Sequence, residues 1–233
     1  MASEAKSAIF DAIRQNLTAS LPFDAVHEAH QIHRQKIASL LAEDSFVENV
    51  PVVEFESDGK NLIENFRENL EAVGGKVTIV KHKNEAVAEI QKIIDESNVR
   101  KIAASDANLI GEIVNSLKVE NEISVNAAAS ELFECDLGIT GAQFGIAETG
   151  TLVLESEREF NRLTSLVPPI HVCVLKAKNI RQTLGETLTM LEKDLSRTIT
   201  FITGPSRTSD IELTLAIGVH GPAELFVILI DEM

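Results

Sequence analysis

The amino-acid sequence predicts an α/β fold, with a mostly parallel sheet flanked by helices. From about residue 50, short apolar runs alternate with segments of helical period, the pattern of repeated strand–helix units. Two of those runs read as strands covered on both faces: Ile170–Leu175, apolar but for His171, and the very apolar Leu225–Ile230. The chain has 233 residues, 44% of them hydrophobic, enough for one substantial domain and its core.

Two helices are expected first, over residues 3–18 and 24–43. Ile9, Ile13 and Leu17 repeat every fourth residue beside Phe10, and Val26, Ala29, Ile37, Leu40 and Leu41 share a side of the second. They form an N-terminal helical arm, residues 1–48, ahead of an α/β domain over 49–233. Leu62, Ile63, Phe66 and Leu70 mark a helix that stops at Gly74–Gly75. A strand follows at Lys76–Val80, and Asn84 is placed to cap a helix through Ile90, Ile93 and Ile94. Lys101–Ser105 is the next strand, with Asp106 as cap of a helix through Ile110, Ile113 and Leu117. Phe144–Glu155 reads as a hairpin turning near Glu148–Gly150. Thr198–Thr203 reads as a buried strand, and residues 179–194 as a helix with Ile180, Leu184, Leu188 and Leu191 on its apolar face.

Composition narrows the function classes. The formal net charge of −15 repels phosphate backbones and anionic lipid surfaces, so neither nucleic acid nor membrane is an expected partner. Aromatics are 4% with no Trp or Tyr, which leaves few platforms for stacking bases. Cys135 and Cys173 are the only cysteines and form no CxxC pair. An iron–sulfur cluster takes four thiolates and a structural zinc site a comparable set, so neither is expected in this chain, nor any other metal. The N-terminal stretch lacks a signal-peptide pattern and no run is long enough to span a bilayer; the reading is a cytoplasmic protein with reduced, buried thiols. His27, His30 and His33 stand three apart, but a helix turns the outer two roughly 120° from each other, which opposes a shared metal ion.

Three segments could carry chemistry. Gly138 to Thr151 contains Gly138, Gly141, Gly145 and Gly150, so its backbone can approach a ligand or a neighbouring chain closely. Its backbone N–H groups, with Thr140, Gly141, Thr149, Gly150 and Thr151, could hold an anion, and Glu148 in the turn could act as base or nucleophile. The alternative is a tight hairpin with a bulge and a solvated Glu. Gly204 to Glu212 follows an expected strand, and Ser209–Glu212 fits a capping box, so a helix should start there. A helix start beside Ser206, Arg207 and Thr208, with Asp210 and Glu212, would receive a carboxylate or phosphate at the carboxyl end of a strand. The alternative is an ordinary capped helix with a surface arginine. Gly218–Pro222 places His220 in a turn, as a general acid or base or as a backbone-bonded turn residue. Arg162 could clamp an anion or pair with a surface carboxylate.

The segments GITGAQFGIAETGTLVLES, NRLTSLVPPIHVCVL and TFITGPSRTSDIELTLAIGVHGP, followed by the apolar Leu225–Ile230, resemble the lactate-utilization protein C family, part of the wider LUD-domain group. The likeness spans about residues 137–231, with Thr203 standing where many members have Ser. It implies a fold like that of the sugar-phosphate isomerase and CoA-transferase superfamily. It also implies a place in a multi-protein system that oxidises L-lactate to pyruvate, with the iron–sulfur clusters in the partner subunits and no cofactor in this chain. Glu148, Arg162, Ser206, Arg207, Asp210, Glu212 and His220 match characteristic positions of the family. Two other readings stand beside this one: a free-standing transferase or isomerase using Glu148 on an acyl-CoA or sugar phosphate, and a regulatory protein that senses a small anion.

Overall fold

The computed structural model of the chain describes residues 62–192, 196–209, 215–217 and 221–232. The expected helical arm, with His27, His30 and His33, lies outside them, as do Asp210, Glu212 and His220.

The chain alternates as expected. Helix α1 (Leu62–Ala72) leads to strand β1 (Lys76–Val80), α2 (Lys83–Glu96), β2 (Lys101–Ala104), α3 (Asn108–Val114), β3 (Glu122–Val125), α4 (Ala129–Leu132) and β4 (Leu137–Gly141). A hairpin of β5 (Phe144–Ile146) and β6 (Thr151–Glu155) follows, then α5 (Ser156–Glu159), a 3-10 turn (Arg162–Ser165) and β7 (Ile170–Lys176). The last described elements are β8 (Ile180–Arg181), α6 (Leu184–Leu191), β9 (Ile199–Ile202), β10 (Arg207–Ser209), β11 (Leu215–Ile217) and β12 (Glu224–Ile230).

Six strands form one parallel sheet in the order β1-β12-β7-β4-β2-β3. Side chains alternate between its faces along each strand. Val172 and Val174 of β7 join Ile102, Ile139 and Ile228 on one face, beneath Ile90 and Ile94 of α2 and Ile110 and Ile113 of α3. Cys173 and Leu175 turn the other way with Val227 and Leu229, and meet Phe66 and Leu70 of α1 and Leu152 and Leu154 of β6. Each wholly buried Leu or Ile contributes about 1.5–3 kcal/mol of transfer free energy, so both layers are needed. The second face is therefore covered largely by another sheet, β8-β5-β6-β9, rather than by helices alone.

The structure corrects several local expectations. Helix α2 begins at Lys83 with His82 at its cap position, and Glu85 reaches back to accept the Lys81 N–H at 2.8 Å, so Asn84 is inside the first turn. Ala107 precedes α3, and Asp106 instead accepts from the Asn126 side chain at 3.1 Å. The helix expected over 179–194 is shorter. Ile180 belongs to β8, paired parallel with β5, and Thr183 starts α6 by accepting the Glu186 N–H at 3.2 Å. Leu191 is buried, whereas Leu184 and Leu188 are 42% and 45% exposed. Strand β9 forms as expected but lies at the edge of the smaller sheet, with Phe201 exposed. Ser209, read as the start of a helix, ends the strand Arg207–Ser209, whose backbone pairs antiparallel with Leu215–Ile217, and the rest of that expected cap lies outside the described residues.

Candidate functional site

Segments from three separate parts of the chain converge on one cavity. About 180 Å³ in volume, it is lined by Ser165, Leu166 and His171 from the segment around β7, by Thr203, Gly204 and Ser206 after β9, and by Gly221 and Pro222 before β12. Phe201, Ile202 and Leu225 complete the wall. The carboxyl end of β9 reaches this cavity. However, His171 and Leu225 are each the second residue of their strands, so the cavity sits at the amino edge of the parallel sheet.

Local backbone geometry builds this pocket. Gly204 has φ of +89°, a left-handed conformation that glycine adopts freely, and a Cβ there would come within 2.9 Å of Val73 Cγ2. The loop is thereby pressed onto the end of α1, and Arg207 fastens it by donating to the Val73 carbonyl at 2.5 Å. Ser206 N donates to the Pro222 carbonyl at 2.8 Å, which joins the two loops across the mouth.

The glycine-rich segment 138–151 does not line the cavity, but it supports two residues that do. Thr140 is wholly buried and its Oγ1 lies 2.8 Å from His171 Nε2. Thr151 Oγ1 lies 2.7 Å from Thr203 Oγ1 and 2.7 Å from Thr149 Oγ1, so a row of hydroxyls runs from the cavity wall to the exposed turn. Gly150, at φ +65°, packs so closely on α1 that a Cβ would sit 2.3 Å from Leu70 N.

Other expected residues stand elsewhere. Glu148 Oε1 accepts the Leu184 N–H at 2.6 Å, at the first residue of α6. Arg162 is exposed on the 3-10 turn and forms no ion pair among the described residues. Gly141 lies at the carboxyl edge, where its N–H donates to Glu159 Oε2 at 2.8 Å. Arg207 turns its guanidinium toward α1, and Thr208 follows on β10.

Sequence reasoning did not select His171 or Glu159. His171 is 1% exposed, and burial holds its pKa down to about 3, so the ring is neutral. Burial likewise pushes the neighbouring Cys173 thiol up, keeping it protonated. Glu159, 1% exposed, accepts from the Ser105 hydroxyl at 2.7 Å, from Gly141 N, and from Gln143 Nε2 at 2.7 Å. A signal for His171 does exist: it is the one polar side chain in the strand Ile170–Leu175, and a polar group buried in such a strand must find a partner. Glu159 is hidden within a charged stretch that reads as solvated surface.

The described lining holds hydroxyls, backbone groups and a neutral imidazole, with no Lys or Arg. Such a site binds by hydrogen bonds and suits a small polar molecule better than a multiply charged phosphate. Among the described residues, no group of three His, Cys, Asp or Glu side chains could hold a metal ion, and no helix is long and apolar enough to cross a membrane.

Residues 63–230 match the family model of the LUD domain. Among curated proteins, the chain is 37% identical over 140 residues to an uncharacterized protein of Neisseria meningitidis serogroup B, covering 58% of this chain and 57% of that one. It is 38% identical over 104 residues to lactate utilization protein C of Deinococcus radiodurans, covering 43% and 49%. Against lactate utilization protein C of Bacillus subtilis the figures are 30% over 105 residues, covering 42% and 44%. The chain thus spans about half the length of the curated relatives it matches. The crystal structure of a DUF162 family protein from Deinococcus radiodurans superposes with a TM-score of 0.57 at 23% identity, over 72% of this chain and 96% of that one, which establishes a shared fold.

Proposed function

The chain belongs to the LUD-domain family, and on that premise we propose that it is a non-redox subunit of a system that oxidises L-lactate to pyruvate. The names of its curated relatives supply the lactate connection. The observation that carries the reading is the convergence of the 165–171, 203–206 and 221–222 segments on one small, largely apolar cavity that carries the polar side chains Ser165, His171, Thr203 and Ser206. Its role is to hold a small carboxylate while electrons pass through partner chains. The redox centres belong to those partners because this sequence has two cysteines, both buried and free, where a cluster requires four thiolates.

A catalytic role for Glu148 in a free-standing transferase receives less support. Its carboxylate is engaged by the Leu184 N–H, and a cavity of about 180 Å³ is small for a nucleotide-bearing thioester. Deletion of the gene tests the proposal. The strain should lose growth on L-lactate, keep growth on pyruvate, and recover when the full chain is restored. Undiminished growth on L-lactate would overturn it.

A further inference from the structure

We infer that the exposed leucine shoulder of α6 is the docking surface for a partner protein that presents an apolar groove edged with Lys or Arg. The burial of this helix is inverted relative to its chemistry. Thr187 is wholly buried, its hydroxyl donating to the Thr183 carbonyl at 3.0 Å, whereas Leu184 and Leu188 are 42% and 45% exposed. The helix is seated through Thr187 and Leu191, and Leu191 meets Ile146 and Val153 of the smaller sheet. Each helical residue is turned about 100° from the last, so Leu184 and Leu188 stand one turn apart on the shoulder of that contact. Leucines left in water forgo the transfer free energy of burial, and grouped apolar surface of this kind marks an interaction site. Phe201 is the register partner of Val153 and so shares its sheet face. It is 43% exposed and also lines the cavity. A partner seated on α6 therefore lies on the side of the smaller sheet that carries the Phe201 wall.

Charge sets the chemistry of the occupant. The helix itself carries Glu186 and no Lys or Arg, and Glu192 follows at its carboxyl cap, one turn beyond Leu188. Glu192 is exposed and forms no ion pair among the described residues. Glu148 adds a carboxylate at the other end, where it accepts the Leu184 N–H at 2.6 Å. Arg181 is turned into its own loop, donating to Met190 Sδ and to the Lys178 and Ile180 carbonyls at 2.9 Å each, and stands 3.9 Å from Glu186. A second copy brought to this face would set carboxylates against their own kind, in a chain of formal net charge −15. A groove that seats the two leucines and meets the carboxylates with cations is the complement, the usual mode for a helix held by anchors at i and i+4. That the occupant is another chain of the lactate-oxidising system rests on the subunit proposal; the surface and its complement do not.

The test places a photo-crosslinking benzophenone side chain at position 188 of the full chain in its native cell, with the same group at the exposed Phe133 position as control. Irradiation should join position 188, and not 133, to a different protein, through a peptide that carries Lys or Arg beside apolar residues. Adding Leu184→Gln should lower the yield of that adduct about tenfold, and Glu186→Lys with Glu192→Lys about fivefold. Both changes are on the surface, so the thermal midpoint should stay close to that of the wild type. An adduct with a second copy of this chain, an adduct indifferent to the charge reversal, equal labelling from position 133, or none from position 188 overturns the inference. Growth separates it from the subunit proposal. If the chain is required on L-lactate but Leu184→Gln with Leu188→Gln grows undiminished, the docking surface alone is wrong. If the stated adduct forms from a chain dispensable for growth on L-lactate, the subunit proposal alone is wrong.

Discussion

Glu159 Oε2 accepts the Ser105 hydroxyl at 2.7 Å and so ties the end of α5 to the loop after β2 at the carboxyl edge of the sheet. The same carboxylate takes the Gly141 N–H and the Gln143 side chain, and Phe160 beside it is held at φ 60°. A buried carboxylate is tolerated only when its bonds are made, and here three donors serve it. Glu159→Ala should lower the unfolding free energy by about 2–4 kcal/mol in urea titrations, and Ser105→Ala by about 1 kcal/mol. Because the two side chains share a bond, the double variant should lose less than the sum.

Glu148 is held by the start of α6. Glu148→Gln keeps the shape but weakens a charge-assisted bond to Leu184 N, so stability should fall by about 1 kcal/mol. Amide hydrogen exchange should accelerate at Leu184 and the following turn, and not at the cavity.

Gly150 is where the hairpin meets α1. Gly150→Ala would put a methyl group 2.3 Å from Leu70 N in a left-handed conformation. Loss of roughly 3 kcal/mol or more is expected from chemical denaturation, with a greater loss for Val.

Stability should fall with acid through His171. Its pKa is about 3 in the folded chain against 6.5 for the free side chain, so between those values the unfolded chain binds a proton that the native one refuses. Stability therefore decreases as pH drops below 6.5, by about 1.4 kcal/mol per unit, or roughly 2 kcal/mol at pH 5. His171→Gln removes this part, so the gap between wild type and variant should narrow from pH 7 to pH 5 in paired urea titrations.

Much of the architecture is legible in the sequence because continuous apolar runs such as Val172–Leu175 and Leu225–Ile230 suit only a doubly covered strand. The hairpin turn near Gly150 is legible for a similar reason, since its glycines fall between two apolar segments. Caps are less so: Asn84 and Asp106 are chemically able to cap, but Glu85 and Asn126 engage the neighbouring groups first. Ser209 has the chemistry of a helix start, yet it ends a strand, Arg207–Ser209, paired with Leu215–Ile217, and no local pattern encodes that pairing. The cavity itself is a tertiary product. Ser165, His171, Thr203 and Gly221 are brought together by strand order, while Thr140 and Thr151 act from behind the wall.

The subunit role is tested most directly by capturing the tagged full chain from its native cell without oxygen, then assaying the captured material for iron and for L-lactate oxidation. The subunit role requires an iron-containing assembly that oxidises L-lactate and loses that activity when this chain is withdrawn. Recovery of the chain alone, free of iron and inert toward L-lactate, while the cell extract retains the full activity, would contradict it.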